Sequence, residues 1–205
     1  GWEKIWPRGE ALRAIFQPHP KVFNVLHWAD YGYPYCLTSS HDLILAAREA
    51  GEHLQGVQLD MLWPRADLIT DLKSAMPHLE IIVQAGKKAL LQTEDAGGCV
   101  DEALLPYIDN ADYILVDWGM GKGEPMSLPH VLGYLNSASQ LFPGEKLAVA
   151  GGLGPNSYQV LQEVIKKYPH ISCDAQGQMR STGNAKDPLE MDRVCAYISG
   201  VCSLL

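Results

Sequence analysis

The residues of this chain best placed to do chemistry are a set of aspartates and two glycine corners. Asp60, Asp117 and Asp174 each stand at or near the end of a short apolar run, and His27, Gln84 and Lys87 hold comparable places. Carboxylates gathered round one mouth repel each other and raise a pKa, which makes an acid–base catalyst. The same groups can instead hydrogen-bond the hydroxyls of a sugar. One glycine corner is Gly151-Gly152, after Leu147-Ala148-Val149-Ala150; the other is Gly177, after Cys173-Asp174-Ala175-Gln176. A buried strand, a glycine turn and Pro155, whose φ suits a first helical turn, bring several backbone N–H groups together. That arrangement suits an anion such as phosphate. Glycines after buried strands also serve turn geometry alone, and both readings stand at this point.

The elements that must position these groups can be read along the chain. Residues 10–17 read as a helix and 22–27 as a strand, followed by a polar and aromatic loop over 28–38. Ser39 or Ser40 caps the next helix, with Asp42 in its first turn and Gly51 closing it. A strand over 56–60 precedes a helix over 66–75, stopped near Pro77. A strand over 79–84 leads to Gly86-Lys87-Lys88, and residues 90–108 are helical in part, broken at Gly97-Gly98 and Pro106. Residues 112–117 form an apolar strand ending in a carboxylate, with Gly119-Met120-Gly121-Lys122-Gly123 behind it. Helices over 128–141 and 156–168 flank the strand at 147–150. Asp187-Pro188-Leu189-Glu190 combines a cap, a proline and an acid three residues on, which starts a helix reaching about residue 199.

Short continuous apolar strands alternating with helices predict a parallel sheet covered by helices. Six strand-plus-helix units are visible, starting near residues 22, 57, 81, 113, 147 and 171. A (β/α)8 barrel needs eight, so the expected fold is a (β/α)8 TIM barrel-like α/β domain over residues 1–205, lacking its first one or two strands in this chain. An open sheet of that kind exposes edges, which a second copy or a partner segment can cover, so a homo-oligomer is one expectation. The net charge of −8 argues against a nucleic-acid partner bound through the overall field. No apolar run reaches the length of a membrane span, and the N-terminus has no signal-peptide layout. The five scattered cysteines form no Cys-x-x-Cys and the histidines no His-x-x-x-His, which fits reduced thiols in a cytoplasm and no metal site.

Five motifs, in order and near-family spacing, resemble phosphoribosylanthranilate isomerase, a small (β/α)8 barrel of tryptophan biosynthesis. They are Gly56-Val57-Gln58-Leu59, Ile114-Leu115-Val116-Asp117, Leu147 to Leu153, Cys173-Asp174-Ala175-Gln176-Gly177 and Lys186-Asp187-Pro188. The resemblance implies an isomerase that needs no metal or cofactor and acts on a phosphorylated sugar substrate by an Amadori rearrangement. It implies Asp117 as general acid, and phosphate on the backbone of Gly151, Gly152 and Gly177. Arg8, in Trp6-Pro7-Arg8-Gly9, falls near an arginine that holds the anthranilate carboxylate; Asp60 and Gln84 are further candidates for substrate contact. The chain also departs from the pattern. The family's cysteine base, in a Lys-x-Cys-Gly pattern, has no counterpart; Cys36 and Cys173 stand elsewhere. His-Gly after Val-Gln-Leu is Asp60-Met61 here, and Ser-Ser-Gly is Ala175-Gln176-Gly177. A relative that binds a phosphorylated sugar without the isomerisation is therefore the alternative.

Overall fold

Successive side chains of a strand point to opposite faces, so a short apolar run is buried on both and its last residues can still face a site. The computed structural model describes residues 7–32, 37–119, 125–143, 146–184 and 187–204. Cys36, the aromatic pair Tyr33 and Tyr35, residues 120–123 of the glycine loop and Lys186 lie outside them. Residues group into two compact units, one of 1–84 with 106–113 and the other of 85–105 with 114–205.

The first unit carries α1 (Glu10–Arg13), β1 (Val25–Asp30), α2 (Ser40–Ala50), β2 (Gly56–Met61), α3 (Ala66–Ala75) and most of β3 (Glu80–Gly86). β1, β2 and β3 are parallel neighbours, with His27 opposite Gln58 and Leu59 opposite Val83. Val57, Leu59, Met61, Ile81 and Val83 are fully buried on one face, with Leu43, Leu68, Ile69 and Leu72 of the helices also in the core. α2 starts as expected: the Asp42 N–H donates to Ser39 Oγ at 3.1 Å, and Gly51 ends the helix at φ 89°. α3 spans the predicted residues.

Two expectations for this unit change. The helix at residue 10 is a single turn, because Gly9 offers no capping side chain and Pro18 and Pro20 follow closely. The first strand begins three residues later than expected and takes in Trp28, Ala29 and Asp30. Asp30 explains the shift. Its carboxylate accepts the N–H groups of Gly32 (2.8 Å), Leu37 (2.9 Å) and Thr38 (2.8 Å) and the Thr38 hydroxyl (2.6 Å), while Trp28 Nε1 donates to that hydroxyl at 2.9 Å. The loop therefore hangs from the strand's last residue, and the chain must be extended up to it.

A half-buried ion pair fastens α3 in this unit. Lys73 Nζ pairs with Asp112 and also donates to the Leu79 carbonyl at 2.9 Å. The same Asp112 oxygen accepts the Ile81 N–H at 2.8 Å. Removing the carboxylate strands both an ammonium and a strand N–H, so Asp112→Ala is expected to cost about 2–3 kcal/mol. Asp112→Asn, which keeps an acceptor for Ile81, should cost less. Urea denaturation checks this; a loss below about 0.5 kcal/mol in the alanine variant would show that the pair contributes nothing.

The second unit holds α4 (Lys87–Asp95), α5 (Val100–Leu104), all but the first residue of β4 (Tyr113–Asp117), α6 (Leu128–Leu141), β5 (Leu147–Ala150), α7 (Tyr158–Lys167), β6 (Ser172–Cys173) and α8 (Met191–Cys202). Gly97, at φ +74°, lies in the break between α4 and α5, as the glycine pair there predicts. β4, β5 and β6 are parallel neighbours, with Asp117 opposite Ala150 and Val149 opposite Cys173. α6 buries Val131, Tyr134, Leu135 and Ala138, a helical spacing that makes one continuous apolar stripe.

Two helix starts in this unit also differ from expectation. α7 begins at Tyr158, not at Pro155. The turn before it is closed by Ser157, whose Oγ accepts the Gly154 N–H at 2.8 Å and donates to the Gly154 carbonyl at 2.7 Å. α8 begins at Met191, because Asp187 is engaged by the Thr182 hydroxyl and its backbone carbonyl by Arg180. An acid committed to the preceding loop cannot also cap the helix.

Candidate functional site

In the second unit, β4 ends with Asp117 on the face it shares with Leu115, Ala148 and Ala150, opposite the face that carries Ile114, Val116 and Val149. Asp117 is 7% exposed, and its Oδ1 accepts the Gly119 N–H at 2.8 Å. That bond sets the carboxylate's orientation. It also gives the aspartate the loop-capping geometry that stands beside a catalytic role. Trp118, the next residue, donates its N–H to the Ala150 carbonyl at 3.2 Å and so locks β4 to the start of the glycine corner. Its indole stacks on His130 at 4.5 Å, with Lys87 Nζ 4.8 Å from the ring centroid. His130 Nδ1 lies 2.7 Å from Ser127 Oγ.

The corner after β5 needs glycine for two reasons. Gly151 and Gly152 take φ of +116° and +63°, where side chains are strained. A Cβ on Gly151 would also stand 2.6 Å from the Gly119 nitrogen, and one on Gly119 would stand 2.6 Å from Gly151 Cα. Backbone therefore meets backbone directly beside Asp117. The corner after β6 leaves the same end of the ladder, since the two strands are parallel and paired. A Cβ on Gly154 would fall 2.4 Å from Gln178 Cβ, so the two turns abut. Among the described residues, no acceptor lies within hydrogen-bond reach of the N–H of Gly152, Leu153 or Gly177. Backbone donors without acceptors at neighbouring turns are what an anion requires.

Cys173 sits on the helix-facing side of β6, and burial pushes its thiol up from 9.0 to about 11. A thiol so placed is a poor thiolate source. Ionising it opposes folding, so its contribution to stability is full below about pH 9 and is lost as pH rises toward 11. In the native protein Cys173 should remain unmodified by a thiol reagent at mildly alkaline pH, while exposed Cys99, Cys195 and Cys202 react. Peptide mapping after limited alkylation checks this; early labelling of Cys173 would contradict its placement.

The first unit places Asp60 and Gln84 on one strand face, with its own hydrogen bonds. Asp60 accepts the Tyr31 hydroxyl, and its other oxygen lies 3.3 Å from His27 Nε2. Gln58 Nε2 donates to Gln84 Oε1 at 2.7 Å, and Gln84 is only 4% exposed. The sequence singles out His27 and Asp60 but not Tyr31, which falls in the loop expected after a strand ending at residue 27. Arg8 is exposed beside Gly9 at the start of α1.

Parallel strands followed by helices, with a carboxylate and glycine corners where the strands end, define an α/β protein of the (β/α)-barrel class. Solved structures of phosphoribosylanthranilate isomerases share the fold. The chain superposes on monomers generated from the dimeric enzyme of Thermotoga maritima with a TM-score of 0.62 at 16% identity, covering 97% of this chain and 84% of that one. The enzyme of Thermus thermophilus gives a TM-score of 0.62 at 20% identity, covering 96% and 80%. No family model and no curated protein matches the chain. The likeness is therefore one of fold. Among the described residues no helix is long and apolar enough to cross a membrane, and no cluster of His, Cys, Asp and Glu could hold a metal ion.

Proposed function

We propose that this protein is a phosphoribosylanthranilate isomerase-like enzyme that binds a phosphorylated sugar at the glycine corners of Gly151, Gly152 and Gly177, with Asp117 as its general acid. The observation that carries this reading is the register. Asp117 lies opposite Ala150, one residue before Gly151, so a buried carboxylate and N–H groups with no acceptor among the described residues share one strand end. The fold likeness to two isomerases of this reaction supports the same reading.

In the Amadori rearrangement a proton passes to the ribose ring oxygen as its bond to C1 breaks, leaving an iminium. Loss of the C2 proton to a base then gives an enol-amine, which tautomerises to the ketose. The phosphate anchors the sugar, and Asp117 supplies the first proton. Anchoring matters because a fixed substrate turns the proton transfer into an intramolecular step.

The raised pKa of Cys173 favours a second reading, a relative that binds the sugar phosphate without converting it. A fluorescence assay on freshly generated phosphoribosylanthranilate separates the two. Loss of substrate fluorescence on adding the protein supports the isomerase. Binding of the substrate without loss supports the second reading, and neither response would refute both. A homo-oligomer is part of the proposal, in keeping with the dimeric enzyme among the structural neighbours; light scattering tests it.

A further inference from the structure

The turn that carries Gly177 is held from behind by arginines, and all its carbonyls are spent. The Gln176 carbonyl accepts Arg180 Nη1 at 2.7 Å and the Met179 N–H at 3.2 Å. The Gly177 carbonyl accepts the Arg180 N–H at 3.1 Å. The Gln178 carbonyl accepts Arg193 Nε, on α8, at 2.8 Å. Arg180 Nε reaches across the loop to the Asp187 carbonyl at 2.6 Å. The Ser181 N–H donates to the Glu190 carboxylate at 3.0 Å, and the Thr182 hydroxyl donates to the Asp187 carboxylate, so the far side of the loop is tied as well.

A peptide turn has two polar ends, and an anion is repelled by the carbonyl one. Here three successive carbonyls are neutralised by guanidinium or amide donors, while the Gly177 N–H keeps no acceptor among the described residues. We propose that Arg180, helped by Arg193, is a positioning residue for the anion corner: its guanidinium holds the Gln176 carbonyl, and that of Arg193 the Gln178 carbonyl, away from the phosphate, which aims the Gly177 N–H at it. This inference rests on the phosphate-binding reading above. It also supplies what the chain lost where the family's Ser-Ser-Gly became Ala175-Gln176-Gly177, since rigid backbone donors take over from hydroxyls. Arg180 matters for its fork. One guanidinium bonds carbonyls on both sides of the loop, which a single ammonium cannot do.

The test is titration of the whole chain with inorganic phosphate, followed by calorimetry, for the parent and for Arg180→Gln and Arg180→Lys, at low and at high salt. The parent is expected to bind, and both variants to bind about tenfold or more weakly at either salt, with unchanged far-ultraviolet circular dichroism. Positioning is not screened by salt, whereas a long-range charge effect is. Full affinity in Arg180→Lys, or a loss that vanishes at high salt, would show that charge alone is needed and overturn the proposal. Full affinity in Arg180→Gln overturns it too, while leaving the phosphate site in place. A parent that binds no phosphate removes the site and the proposal together. Should Arg180→Gln fail to fold, Arg193→Gln, which removes one clasp, is read in its place: a severalfold loss supports the proposal, and none refutes it.

Discussion

Asp117→Asn is expected to leave the protein folded and to lower kcat for the proposed isomerisation by about 10²–10⁴-fold. The amide keeps an oxygen where Oδ1 accepts the Gly119 N–H, so the 2.8 Å bond that orients the side chain survives. What it loses is a proton to give. KM should change little if, as proposed, the glycine corners hold the substrate phosphate and Asp117 acts on the ring oxygen. Steady-state fluorescence kinetics on both proteins check this. Equal turnover would leave Asp117 as a loop cap and nothing more.

Gly151→Ala should have the largest effect on stability. The added methyl meets two penalties at once: a backbone at φ +116° and a Cβ only 2.6 Å from the Gly119 nitrogen and 3.1 Å from the Trp118 nitrogen. Neither neighbour is a flexible side chain that can turn aside. Strain and overpacking together are expected to cost roughly 3–5 kcal/mol, lowering Tm by about 10 °C in a chain of this size. Gly133→Ala is the matching control. Gly133 lies within α6, and nothing stands within 4 Å of its added Cβ. Replacement there should stabilise by about 0.5–1 kcal/mol. Thermal melts of the pair check the contrast, and similar melting for both would remove the case for a forced backbone approach beside Asp117.

Most of the fold was legible where a signal was local. Ser39, Asp42 and Gly51 mark both ends of α2, and the apolar runs at 56–61, 113–117 and 147–150 are buried strands because each fills a face of a parallel ladder. What failed was decided by side-chain hydrogen bonds within the adjoining loops, which compete with the expected caps and strand ends. Asp187 reads as a cap, yet Thr182 and Arg180 claim it; Pro155 reads as a helix start, yet Ser157 closes the turn first. Strand β1 ends later than expected because Asp30 gathers donors from residues up to 38. The candidate site follows the same division. Gly151 and Gly152 announce a left-handed turn by residue type alone, but the contact of Gly151 with Gly119 has no local signature. The clasp of the Arg180 guanidinium on the carbonyls of Gln176 and Asp187 is set by the path of the loop, which no residue-type signal announces.

Phosphate binding as proposed requires the two glycine turns to offer their N–H groups to one anion. The most direct measurement is a titration of the isotopically labelled protein with inorganic phosphate, followed through its backbone amide resonances. The amides of Gly151, Gly152, Leu153 and Gly177 are expected to move together along one saturating curve. Shifts confined to other residues, or separate curves for the turn after β5 and the turn after β6, would contradict it.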